Sequence, residues 1–214
     1  CFPKTSYGRP VLGFVETVQK IDDKTLRQYF QKHYHAGTTC LVIVGDVDSK
    51  DALALATQKF GKMKKGTKSN IRKFKIANRA TPATVFSGRD VTECHAQIAW
   101  PAFGVKHPEV PIWDLMCSSI GHGESGRLYQ TLVKGKKSCL ETQMDLVATV
   151  ECGMATLTLQ TEPEKFLTAL TDATGLLAQC AEEGLKDREV ERVKSALEAE
   201  VIAAKETVEG YARR

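Results

Sequence analysis

The chain has 214 residues, 42% hydrophobic and 26% charged, with a formal net charge of +4. That length supports one or two domains with real cores. The charge is too small to indicate a nucleic-acid partner, and no apolar run reaches the roughly 20 residues of a membrane span.

The chain opens at Cys1 without an initiator Met and ends at Arg213-Arg214 inside a helical pattern. Both ends read as cut, so the compartment, cytoplasmic or periplasmic, stays open. Residues 1–16 are loop-like, with Pro3, Gly8, Pro10 and Gly13 as breakers. Asp22 or Asp23 caps a helix running to about Tyr34, with Leu26, Tyr29, Phe30, His33 and Tyr34 on its apolar face. Gly37 ends that helix. Thr38 to Val44 is β-branched and continuously apolar, which predicts a strand buried on both faces. Asp48 caps the next helix, Asp51 favours its dipole, and Gly61 follows its end in the position suited to a left-handed cap.

No acid occurs between Asp51 and Asp90, an interval rich in Lys and Arg, whereas residues 161–214 lean acidic. The basic run reads as a solvated linker over 62–82, with an acidic partner or the acidic C-terminal part as the alternatives. The expected organisation is therefore 1–61 as one unit, 62–82 as linker, and 83–214 as a second unit.

In the second unit, Thr84 to Arg89 and Cys94 to Trp100 read as strands. Pro108 opens a helix carrying Val110, Ile112, Trp113, Met116 and Ile120. The loop Gly121–Gly126 leads to a short helix from Ser125 to about Val133. Leu140 to Val150 and Met154 to Thr161 form a hairpin. Thr161 and Glu164 make a capping box for a helix ending near Gly184. Asp187 caps a last helix whose apolar positions run from Val190 through Val208 to Tyr211. Without βαβ alternation, this order predicts an α+β fold: an antiparallel-rich mixed sheet with helices packed on one face.

The seven cysteines are scattered, with no C-x-x-C pair, and read as buried reduced thiols. They mildly favour a reducing compartment. Gly121-His122-Gly123-Glu124-Ser125-Gly126 matches the dinucleotide pattern, and Asp145 follows about 20 residues later. That pattern binds pyrophosphate only where a strand passes into a helix. Here a helix precedes it, so it reads as a flexible connection. A zinc site at His33 and His35 would need a third Cys, His or carboxylate nearby in space, and His33 reads as a packed histidine. No serine sits in a G-x-S-x-G elbow. Cys94 and His95 are neighbours on a strand and face opposite sides, so they form no dyad. The residues give no catalytic group and no metal ligand.

The segments Tyr7-Gly8-Arg9-Pro10-Val11-Leu12-Gly13, Leu26-Arg27-Gln28-Tyr29-Phe30, Lys32-His33-Tyr34 and Leu41-Val42-Ile43-Val44-Gly45-Asp46-Val47-Asp48 occur in that order. Ser125-Gly126-Arg127-Leu128-Tyr129-Gln130 follows in the second half. Together they resemble the pitrilysin/insulinase family of zinc metallopeptidases, the inverzincins, which include the mitochondrial processing peptidases. The resemblance implies the LuxS/processing-peptidase fold, with the end of one family domain followed by most of a second, non-catalytic one. It places zinc and its inverted His-x-x-Glu-His motif outside this chain, in the parent protein, as the expected cofactor.

The family's Arg/Tyr substrate pair falls on Lys134 and Glu141, in Lys134-Gly135-Lys136-Lys137-Ser138-Cys139-Leu140-Glu141. Lys can donate to a peptide carbonyl without the planar fork of Arg, whereas Glu lacks the phenol. Lys134, Glu141 and Arg127 are the substrate-contact candidates that follow. The implied role is the C-terminal substrate-chamber part of a zinc endopeptidase, itself inactive. The alternative is an inactive family member serving as a structural or partner subunit. The implied partners are an unfolded protein or peptide substrate and the zinc-bearing domain or a second family subunit, with a homodimer also open.

Overall fold

The computed structural model describes residues 1–2, 5–66 and 82–213. They divide into two compact units. One comprises Cys1–Gly8 with Phe74–Leu197, the other Arg9–Lys73 with Glu198–Arg214. Most of the expected linker, residues 67–81, lies outside the described residues.

The larger unit is built on three antiparallel strands: β1 (Cys94–Ala102), β2 (Glu141–Ala148) and β3 (Gly153–Thr161), in the order β1-β3-β2. β3 is central. Leu157 pairs with Ile98 on one side and Met144 on the other. Alternation puts Ala155, Leu157 and Leu159 on one face, and all three are buried. Helix α4 (Val110–Gly121) and helix α5 (Phe166–Glu183) contribute Cys117, Ile120, Ala169 and Ala173 to the same core. His95, Gln97, Glu141 and Gln143 stand on the opposite, polar face. The sheet is thus antiparallel with helices packed against its apolar face, as the patterning predicts.

Leu157 is fully buried at the centre of this core. Leu157→Ala is expected to cost about 3–4 kcal/mol in a denaturant titration, through lost burial and the cavity left behind. A loss below about 1 kcal/mol would show that this core is not close-packed.

Two predicted strands do not form among the described residues. Thr38–Val44 is irregular and joins no ladder, and Leu41, Val42 and Ile43 stay half-exposed. Thr84–Arg89 is likewise irregular, with Val85 and Phe86 almost fully exposed. Composition marks a segment as strand-forming, but a strand also needs a neighbour for its N–H and C=O groups. Cys40, expected to be buried with Thr38–Val44, is exposed for the same reason, whereas Cys117, Cys139, Cys152 and Cys180 are buried and all seven thiols are free. Burial pushes the Cys117 thiol up to about 11, which keeps it protonated and unreactive.

The smaller unit holds the short helix α1 (Val15–Val18), in a stretch expected to be loop, then α2 (Asp23–His33) and α3 (Ser49–Phe60). The caps are as predicted. Asp22 accepts from the Thr25 amide, and Asp48 accepts from the amides of Lys50 and Asp51. Gly61, however, stays right-handed at φ −60 and is no left-handed cap.

The last helix is broken. α6 (Asp187–Ala203) stops, and Thr207 caps a separate helix α7 (Val208–Ala212) by accepting from the Gly210 amide. Val201, Val208 and Tyr211 are exposed, not buried as predicted. The Thr161–Glu164 capping box is also absent: the buried Thr161 hydroxyl donates instead to the Ser138 carbonyl. Gly184 does end α5 in the left-handed region, at φ +74.

Candidate functional site

The stretch from Arg127 to Glu141 carries all three residues singled out as substrate contacts. It begins beyond the loop Gly121–Gly126, which leaves α4 and so fits no dinucleotide site. Gly121 is buried, and a Cβ there would lie 2.4 Å from the Met144 Cβ on β2. Gly123 takes φ +67. The glycines therefore serve close helix–sheet packing and a tight turn.

Arg127 points into the α5–α6 connection. Its Nε and Nη2 donate to the two Glu189 oxygens at 2.6 Å each, and Nη2 also donates to the Gly184 carbonyl at 3.0 Å. Nη1 meets the Cys180 sulfur at 3.3 Å. Both side chains are largely buried, 14% and 21% exposed. The guanidinium holds the Glu189 carboxyl below its usual range, helped by the Lys186 amide, and the carboxylate raises Arg127 in turn. This bidentate pair fastens the start of the site to the two closing helices. Arg192 adds a second tie through the Ser125 hydroxyl, at 2.5 Å.

Residues Tyr129–Gly135 form a π-helical segment instead of the short α-helix expected from the sequence. Such turns are rare and concentrate at functional sites. The segment ends in the turn Lys134–Leu140. The Lys136 amide donates to Thr131, and the amides of Ser138 and Cys139 both donate to the Leu132 carbonyl, at 2.9 and 3.2 Å. Lys137 is left-handed at φ +54, a conformation uncommon outside glycine. Leu140 then donates to Gln160 and delivers Glu141 into β2 opposite Gln160.

Lys134 and Glu141 thus stand at the two ends of one turn, and both are exposed. Inside the turn, Ser138 and Cys139 are buried, and burial pushes the Cys139 thiol up. From α5, Asp172 reaches Lys136 at 2.6 Å, and this contact holds its carboxyl below the usual range.

Sequence reasoning missed Asp172 and Glu189. Asp172 was visible only as the single acid between Phe166 and Gln179, and Glu189 as one of several acids opening α6.

The histidines do not gather. His33 meets the Tyr29 ring at 4.3 Å and is only half-buried. The buried one is His35, whose ring lies so close to Gly66 that a Cβ there would meet it at 2.1 Å. His107 stacks on Phe103 at 3.8 Å. Among the described residues no three His, Cys, Asp or Glu side chains form a group able to hold a metal. A cleft of about 720 Å³ between sheet and helices is lined by apolar groups, Trp100, Trp113, Met116 and Met144 among them, and offers no acid or base.

With this geometry in place, comparison with known proteins identifies the class. The description "Peptidase M16 inactive domain" matches residues 20–197. The chain belongs to that family, the non-catalytic C-terminal part of M16 zinc proteases. An uncharacterized zinc protease of Streptomyces coelicolor is 24% identical over 208 residues, covering 94% of this chain and 45% of that protein. In fold, the chain is similar to a protease from Helicobacter pylori, with a TM-score of 0.78 at 16% identity over 94% of this chain and 50% of the other. It is also similar to a peptidase M16 inactive domain from Pseudomonas fluorescens, with a TM-score of 0.75 at 19% identity over 92% and 47%. The chain spans about half the length of the curated relatives it matches.

Proposed function

We propose that this chain is the substrate-chamber part of a zinc-dependent endopeptidase whose metal and catalytic base lie in another part of the protein or in a partner subunit. The observation that carries this reading is the turn from Lys134 to Glu141. It is hydrogen-bonded to the buried Leu132, exposed at both ends, and coincides with the segment that the resemblance assigns to substrate contact. Lys134 donates to backbone carbonyls of an unfolded peptide. Glu141, acceptor-only when ionised, takes peptide N–H groups where a phenol would have donated. Arg127 supports the site from behind, because Glu189, Gly184 and Cys180 already engage its donors.

The test is a peptidase assay on the full-length protein. Activity is expected to vanish with a chelator and return with zinc. Lys134→Ala is expected to lower kcat/KM about 10-fold, the loss of one charge-assisted hydrogen bond. An unchanged kcat/KM would remove Lys134 from the site.

The second reading, an inactive structural or partner subunit, is favoured by the replacement of the family's Arg/Tyr pair by Lys134 and Glu141. Full-length protein inert with every partner subunit, chelated or not, would decide for it.

A further inference from the structure

We propose that Asp172 is a positioning residue: from α5 it clamps the Lys134–Glu141 turn through Lys136 and so sets where the Lys134 ammonium is presented. The inference rests on the proposed substrate-contact reading of that turn.

The C-terminal half of the turn is tied to buried groups. The amides of Ser138 and Cys139 share the Leu132 carbonyl, and Leu132 is fully buried. The Ser138 carbonyl accepts from Thr161, at 2.7 Å, from the last residue of the central strand. The Gly135–Lys137 tip is exposed. Its single side-chain anchor among the described residues is the 2.6 Å contact from Lys136 Nζ to Asp172.

That anchor differs from an ordinary surface ion pair. The Asp172 side chain is only 14% exposed, whereas Lys136 is 54% exposed. The carboxylate is therefore fixed by α5 and the lysine comes to it. The first cause of the lowered Asp172 carboxyl is this contact with Lys136. Lys137 needs such a restraint, because its left-handed backbone carries a strain that a free lysine would relax. Lys134 lies on the near side of this tip, at the end of the π-helical segment, so its direction follows the tip's conformation.

Hydrogen exchange on the 214-residue chain tests the clamp without any ligand. Asp172→Ala is expected to speed exchange of the Ser138 and Cys139 amides about 10-fold while leaving the Leu157 and Leu159 amides unchanged. Lys136→Met, at an exposed position that cannot threaten the core, should do the same. Exchange at Ser138 and Cys139 within about twofold of the parent in both variants would overturn the proposal.

A second arm measures anisotropy of a fluorescein-labelled casein peptide on full-length protein stripped of zinc. Asp172→Ala should weaken binding about 5-fold, and adding it to Lys134→Ala should weaken it no further, as expected for residues that act as a unit. Additive losses would also overturn the proposal. No peptide binding by the parent would instead sink the substrate-contact reading, and the exchange arm would still decide the clamp.

Discussion

Arg127→Met is expected to lower the melting temperature of the protein by roughly 10 °C, corresponding to about 2–3 kcal/mol. The methionine keeps most of the apolar stem but leaves the Glu189 carboxylate facing only the Lys186 amide, and it frees the Gly184 carbonyl. The figure sits below that for a deeply buried pair, because both side chains keep some exposure and solvent screens them. Arg127→Met with Glu189→Gln should recover part of the loss, since the charge left unpaired is then gone.

The pair also sets an acid limit. The folded pKa of Glu189 lies below its unfolded value, so the folded state binds protons less readily. Its contribution is whole above the ordinary carboxylate range. It is lost as pH falls through that range to the lower folded value. Thermal unfolding followed across the acid range should show Arg127→Met with a flatter pH dependence than the parent. Equal slopes would mean that Glu189 is not held ionised by Arg127.

Gly121→Ala is expected to be comparably damaging, at about 2–4 kcal/mol, although it adds one methyl group. The added Cβ would sit 2.4 Å from the Met144 Cβ and 2.5 Å from its amide nitrogen. The obstacle is backbone, so no rotamer change relieves it. The C-terminal end of α4 would have to lift from β2, and both carry core residues. Gly123→Ala should be milder: a Cβ there meets nothing within 4 Å, and only the left-handed φ of +67 opposes it. Urea titrations of the two variants should rank them in that order. Equal losses would show that backbone conformation, not close packing, dominates at this loop.

The contrast between these glycines shows how far the sequence could be read. All belong to one motif-like string, and the helix expected before them is present as α4. Which glycine is sterically required depends on β2 passing behind α4, and no local pattern encodes that approach.

The candidate site divides in the same way. Lys134 and Glu141 are candidates by resemblance alone, and the exposed turn joining them is consistent with its Lys-Gly-Lys-Lys composition. Asp172 and Glu189 were not found. Each acts on a partner tens of residues away, and an isolated acid on a helix most often faces water. The Thr161 capping box failed for a related reason: its hydroxyl had a buried carbonyl to satisfy, and that outweighs an exposed cap.

By itself the sequence determined a cap at Asp22 or Asp23 and another at Asp48, the stop at Gly184, the alternation that buries Leu157 and Leu159, and the antiparallel α+β class. These are local preferences or periodic burial, written within one segment. Only the tertiary structure decided that Thr38–Val44 and Thr84–Arg89 join no ladder among the described residues, that Tyr129–Gly135 winds as a π-helical turn, and that Arg127 faces Glu189. Each of these depends on whether a distant group is present to complete a hydrogen bond, a ladder or an ion pair.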